Sequence, residues 1–585
     1  MKRSSWPTWR QLHGALPLVA LLGVADCKTG HYAPNSAEAP LSETLPTARL
    51  VFVTDLGGAL EPCGCTRDQL GGISHFAAWV SRERSRIPAT VIASSGPQFF
   101  MEDRLAGDGA DQARAKASAV AHLMHTVDWT AFAPASSDWS DGSDALARLA
   151  QLSGATPLID EGGASRPPSS SPGDGGAALP RSSSPVDDAV RAPWTTVSVR
   201  AVGGLRVGFV GVSTRTDEGG TSRPPRNLSA DDRVIASAET AVRRGFARAQ
   251  AMGANAVVAL ASVGRGEAKR IADAVPELLA VVVGSAKAAG EQNVPASEPE
   301  RVGNVLIVQA ANHLQSVAVL DIYLRSPVES GVLVNLADGT GIELAASRAE
   351  IERRRGELRT KIAAWQRDPA LRPSDLEARR RDLADLDVQA KRLYAPTESP
   401  KGNYYRYANQ EIRDTLGSEP AAERELLAYY KAVNEHNRMA FAGRLPVPAG
   451  PTDATYVGDE VCATCHADAR DVWARTPHAT AYATLEKSFK EFNLDCVSCH
   501  VTGYELPGGS TVTHVDKLKN VQCEACHGPG STHVLATPAA IHNVVAAPPP
   551  SRCLECHRPP HVENFDPATR MASILGPGHG LPKLK

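Results

Sequence analysis

Four times near its C-terminus the chain reads Cys-X-X-Cys-His: Cys462-Ala-Thr-Cys465-His466, Cys496-Val-Ser-Cys499-His500, Cys523-Glu-Ala-Cys526-His527 and Cys553-Leu-Glu-Cys556-His557. Two thiols three positions apart can add to both vinyl groups of one haem. The histidine that follows is then held beneath the ring, where its imidazole can ligate iron. Zinc is the competing chemistry, since four Cys-X-X-Cys pairs could build two four-thiolate sites with the histidines incidental. The chain has 17 histidines in 585 residues, so a histidine after all four pairs by accident is on the order of one in a million. The spacing predicts four c-type haems. Thioethers form at the eight cysteines, and His466, His500, His527 and His557 are the proximal iron ligands.

The second axial ligand sets the potential. Methionine would raise it, but Met571 is the one methionine beyond residue 440. Free histidines outnumber the irons: His478, His514, His533, His542, His561 and His579. Bis-histidine ligation is the expectation, with His478, His533 and then His561 favoured as distal ligands. Four haems attached between residues 462 and 557 leave little polypeptide for each, so the haems themselves must form the core and lie close enough to pass electrons.

The segments Tyr456-Val-Gly-Asp-Glu-Val-Cys462, Trp473-Ala-Arg-Thr-Pro-His478, Cys496-Val-Ser-Cys499-His500-Val-Thr-Gly503 and Val521-Gln-Cys523-Glu-Ala-Cys526-His527-Gly-Pro-Gly530 resemble the cytochrome c-554/c-prime tetrahaem family, over roughly residues 455–566. The resemblance implies mostly bis-histidine haems, with one iron open to small ligands.

The N-terminus reads as an export signal. Lys2, Arg3 and Arg10 precede an apolar run, Ala15–Ala25, too short to span a bilayer. Val24-Ala25-Asp26-Cys27 then resembles a lipobox, which makes Cys27 a lipid anchor to a membrane; the alternative is an ordinary secreted chain. The expected location is the periplasm or cell envelope, and the expected partners are redox proteins there. Lys and Arg number 62 against 65 Asp and Glu, a net charge of −3, which gives no electrostatic reason for nucleic acid as a partner.

The elements that must carry these groups fall into blocks. After a signal (1–27) and a polar tether (28–48), residues 49–325 alternate short aliphatic runs with Ala-rich helical patterns. Strands are expected at Leu50–Thr54, Ala89–Ala93, Thr195–Val202, Val207–Val212, Ala256–Ala261, Leu279–Val283, Val305–Gln309 and Val317–Leu324. Helices are expected at Gly72–Arg84, Ala110–Val127, Asp231–Met252 and Gly266–Ala274. Such alternation implies a layered α/β domain. Two Pro/Gly/Ser-rich inserts, 161–188 and 216–227, cannot bury a core. Residues 340–445 predict a charged helical hairpin broken at Pro369 and Pro373, then a helix Ala421–Arg438. A small, mainly α/loop tetrahaem domain (455–566) and a tail (567–585) complete the chain.

The α/β block resembles the 5′-nucleotidase type of calcineurin-like metallophosphoesterase, in the branch fused to multihaem cytochromes. The resemblance rests on Thr54-Asp55-Leu56-Gly57-Gly58-Ala59-Leu60-Glu61-Pro62, Gln69-Leu70-Gly71-Gly72, Gly204-Leu-Arg-Val-Gly-Phe-Val-Gly211, Ala280-Val-Val-Val-Gly284 and the strand ending Leu320-Asp321. Such enzymes hold two metals on Asp, His and Asn at strand ends. Here the first motif keeps Asp55 but has Gly57 where histidine belongs. The other four read Ala93-Ser94-Ser95-Gly96, Ala135-Ser136-Ser137-Asp138, Ala261-Ser262-Val263 and Gly284-Ser285-Ala286-Lys287. The fold is expected to persist without the dimetal hydrolase site.

The same loop holds Glu61-Pro62-Cys63-Gly64-Cys65. Cys63 and Cys65 read as a redox pair exchanging electrons with the haems. The alternatives are thiolates that bind one additional metal with Asp55 or Glu61, and a structural disulfide. The leading expectation is an exported electron-transfer protein. A phosphoesterase fused to a cytochrome, and a haem reductase of a nitrogen or sulfur oxyanion at an open iron, are the alternatives.

Overall fold

The computed structural model describes residues 45–63, 69–159, 194–213, 238–328, 331–334, 336–366, 373–393, 400–536, 544–558, 562 and 565–579. The signal, Cys27, nearly all of the tether, both inserts, Cys65, His542 and His561 lie outside them. By contacts the chain divides into Met1–Leu45 and Pro46–Lys585, and every described element belongs to the second unit.

Ala48–Thr54 (ARLVFVT) has almost every residue buried. A strand covered on both faces must be aliphatic throughout, and this one lies in the interior of a seven-stranded sheet. The order across that sheet is Ala337–Asp338, Tyr404–Glu411, Ser316–Tyr323, Ala48–Thr54, Thr90–Ser95, Trp129–Ala133 and Thr156–Pro157. Ala48–Thr54 runs parallel to Thr90–Ser95 and antiparallel to Ser316–Tyr323. A second sheet of six strands has the order Ser297–Val302, Val305–Gln309, Ala280–Gly284, Ala256–Ser262, Leu205–Ser213 and Val197–Val202. Leu50, Phe52, Ala93 and Leu320 of the first sheet pack against Phe209, Val258, Leu260 and Val282 of the second in one apolar layer. Helices cover the outer faces. In Ala110–Thr126, Ala117, Val120, Ala121 and Met124 recur at helical spacing and are buried against the first sheet.

All eight strands expected in the block are present within a few residues, and the helices likewise, with Ala238–Ala251 the described part of the third. Strands at Trp129–Ala133 and Tyr404–Glu411 and a helix at Ser143–Ser153 add to the expected set. Tyr404–Glu411 pairs along the full length of Ser316–Tyr323. The helix Pro420–Ala440 seals the same layer by burying Ala422, Leu426, Tyr429 and Val433 in the core beneath the first sheet. The hairpin is formed by Ile342–Trp365 and Pro373–Leu393. It is an excursion between two neighbouring strands, because Ala337–Asp338 pairs with Tyr404 and Tyr405.

Beyond residue 455 the elements are short helices and turns, and one small apolar cluster is found there: Tyr482, Val497, Val501 and Val515, with Tyr504 against it.

Candidate functional site

Each Cys-X-X-Cys-His motif sits on a short helical turn that brings its two thiols and imidazole together. These are Asp459–Ala463 with the turn after it, Val497–His500, Cys523–His527 and the 3-10 turn Pro550–Glu555. None of the eight cysteines is in a disulfide. His466 N–H and His557 N–H donate to the carbonyls of Cys462 and Cys553, both at 2.9 Å, closing the first and fourth turns. Two imidazoles are fixed from behind: Nδ1 of His500 donates to the Ala481 carbonyl and Nδ1 of His527 to the Val545 carbonyl, each at 2.7 Å. A donated Nδ1 proton leaves Nε2 bare as the ligating atom.

Three motif histidines face a second histidine from far along the chain. His466 faces His533 with ring centroids 6.4 Å apart and planes 24° apart. His527 faces His579 at 6.4 Å and 25°, and His557 faces His478 at 6.1 Å and 49°. One metal between two imidazole nitrogens needs two bonds of about 2.0 Å, and with about 1.1 Å from each nitrogen to its ring centre the centroids fall about 6.2 Å apart. The residues therefore fit axial pairs. The thin apolar cluster of this region fits as well, since a chain of this length without a larger core needs a prosthetic group to fill it.

Of the expected distal ligands, His478 and His533 lie opposite motif histidines, and His561 lies outside the described residues. His579, another of the spare histidines, lies opposite His527. Phe565 stacks on the His557 ring at 4.1 Å and 9°. Burial holds His478, His557 and His579 below the ordinary imidazole range, which keeps them neutral.

At the strand ends of the α/β domain the positions compared with metal motifs in the sequence are bonded to one another. Asp55, at a backbone φ of 52°, accepts from Ser285 N at 2.7 Å and Ser285 Oγ at 2.8 Å. Gly96 N donates to Ser262 Oγ at 2.9 Å, and Ser262 Oγ donates on to the Ala133 carbonyl at 3.0 Å. A Cβ at Gly96 would fall 1.8 Å from Asp55 Oδ1, so the carboxylate occupies space that only glycine leaves open. Asp138 accepts from the backbone N–H groups of Gln98, Phe99 and Ala135 and braces the loop between them. Burial pushes Asp55 up to about 6 against the two Ser285 bonds, and Asp138 up to about 7 against its three donors. His313, buried beside Gly57, is held down at about 4 by burial.

Among the described residues no group of three or more His, Cys, Asp or Glu is arranged to hold a metal. Asp55 is engaged by Ser285, and Glu61 ion-pairs with Lys490. The two carboxylates offered for an additional metal thus turn to different partners and do not fit that role. Cys63 ends a two-residue strand, Pro62–Cys63, paired with Leu70–Gly71. No helix among the described residues is long and apolar enough to cross a membrane.

Residues 461–528 match the family described as Cytochrome c554 and c-prime. Cytochrome c-554 of Nitrosomonas europaea is 34% identical over 94 residues, which is 13% of this chain and 40% of that protein. Among solved structures, a 5′-nucleotidase precursor from Thermus thermophilus aligns at a TM-score of 0.40 and 17% identity, covering 69% of this chain and 60% of that one. A calcineurin-like phosphoesterase from Bacillus subtilis aligns at 0.35 and 13%, covering 50% and 88%. The chain spans less than half the length of the cytochrome it resembles and under two thirds of the nucleotidase. The chain thus joins a segment similar to cytochrome c-554 to a two-sheet α/β domain.

Proposed function

We propose that this protein is an exported electron carrier that binds four c-type haems through the motifs beginning at Cys462, Cys496, Cys523 and Cys553. The observation that carries this reading is the set of three imidazole pairs, each built from a motif histidine and a distant one, at one spacing. Haem, once bound, supplies one-electron chemistry at iron. The chain's own residues do the rest. The thiols anchor, His478, His533 and His579 close the far faces, and the Ala481 and Val545 carbonyls fix the orientation of two near ligands.

In this reading the α/β domain keeps the nucleotidase-like layers without the dimetal chemistry. The two Ser285 bonds to Asp55 support it, because they engage the one carboxylate that the first motif keeps. Cys63 and Cys65 remain the candidate redox pair, Cys27 the candidate lipid anchor, and envelope redox proteins the partners. Intact mass of the mature protein together with its alkaline pyridine haemochrome spectrum tests the count, with four haems per chain expected. A colourless protein that carries zinc would overturn the reading. Phosphoesterase turnover with manganese, abolished by Asp55→Ala, would overturn the part about the α/β domain.

A further inference from the structure

The stretch just ahead of the second motif is where the haem-binding region meets the α/β domain. Asn493 is buried there, and its side-chain oxygen accepts from Gln112 Nε2 at 3.2 Å. Gln112 Oε1 accepts from Leu494 N at 2.9 Å and from Asn437 Nδ2 at 2.8 Å, and Asn437 also donates to the Phe492 carbonyl at 2.9 Å. Asn434 accepts from Phe492 N and donates to Glu491, both at 3.0 Å. Two ion pairs flank this seam, Lys116 with Asp495 at 3.0 Å and Glu61 with Lys490. The Lys490 ammonium lies 4.2 Å from the centre of the Tyr430 ring.

The seam reaches the motif directly. The Asn493 carbonyl accepts from Cys496 N at 3.0 Å and Val497 N at 2.9 Å, which opens the turn that presents Cys499 and His500. Val497 is fully buried. Cys496 itself is half-buried. Cys465 of the first motif, by contrast, is exposed.

We propose that the α/β domain is the built-in cover of the second haem, and that by keeping water away from it through the Gln112–Asn493–Asn437 seam it holds that haem's reduction potential up. The proposal rests on the tetrahaem reading above. Ferric haem carries one more positive charge than ferrous haem. Removing water therefore penalises the oxidised form and favours the reduced one. The charges at the seam are paired across it, so burial rather than a net field decides the direction. Electrons then settle on the haem that faces the α/β domain.

The test is a spectroelectrochemical titration of the full chain, with four haems confirmed by intact mass. Lys116→Asp sets two carboxylates face to face, and Glu61→Lys sets two ammonium groups face to face. Each is expected to lower the same single midpoint and leave three in place, although the two changes are opposite in charge. That midpoint is expected to be the one missing from a variant with Cys496 and Cys499 both changed to Ala. The swaps Lys116→Asp with Asp495→Lys, and Glu61→Lys with Lys490→Glu, are expected to restore it. Should the reversals fail to mature, Lys116→Gln and Glu61→Gln are expected to give the same downward shift at smaller size. Shifts of opposite sign, no shift, or a shift of all four midpoints would overturn the proposal. Fewer than four haems in the unmodified chain would instead overturn the reading beneath it.

Discussion

At the residue scale the far-face histidines make the sharpest prediction. His579 faces His527, and it is the partner that the sequence concealed. His579→Ala is expected to leave one iron open, so that carbon monoxide added to the reduced variant shifts the Soret band by about a quarter of the haem content. His514, whose Nδ1 lies within 3.1 Å of Thr513 Oγ1, is expected to show no such effect when replaced. The near-face ligands were legible because covalent attachment forces thiols and imidazole into one short string. Two far-face candidates, His478 and His533, were legible as spare histidines, but the motif each would face was not, because folding brings the partners together from up to 79 positions away, as for His478 and His557, and no local spacing records that. A second prediction concerns Asp55. Its folded value of about 6 lies above the ordinary value of about 3.9, so the folded state holds more protons between those limits and loses stability as pH rises through them. His313, at about 4 against about 6.5, acts the other way and loses stability as pH falls through that window. Asp55→Asn removes the first contribution and keeps an acceptor for Ser285. It is expected to be more stable than the parent by roughly 1–3 kcal/mol at pH 7, with the gain vanishing near pH 4, as read from urea midpoints across that range.

At the element scale, the strands visible in the sequence were those with an unbroken aliphatic run, such as Ala256–Ser262, every residue of which is buried. Tyr404–Glu411 escaped because it sits near the edge of its sheet and alternates buried tyrosines with Arg, Asn and Glu. Its tyrosines look like linker residues until Tyr323 is found stacked on Tyr404 at 4.5 Å. Trp129–Ala133 is only five residues long and lies directly after a helix, so its period is too short to register. The hairpin leaves and re-enters the sheet at adjacent strands. Replacing residues 342–399 with about eight Gly/Ser residues is therefore expected to keep the fold and the haem spectrum, with a thermal midpoint within about 5 °C of the parent, since loop closure costs little extra with length. Loss of the haem spectrum in that variant would show that the hairpin holds up more than itself.

At the scale of the whole molecule the two halves are stabilised differently. The α/β domain has three large apolar clusters, whereas the region beyond residue 455 has one small one. With all eight motif cysteines changed to Ala, residues 456–579 are expected to become protease-sensitive while residues 46–445 resist. Limited proteolysis followed by mass analysis reads this directly. Equal resistance of both halves would mean that the protein fold alone sustains the C-terminal region.

The late strand Tyr404–Glu411 has a consequence for biogenesis. The first sheet cannot complete until a segment more than 350 residues after its first strand has been delivered. Pairings so far apart in sequence are slow to form. The four Cys-X-X-Cys-His strings follow that segment in the chain, so the seam at Asn493 can close over the second string only once the platform that receives it has assembled.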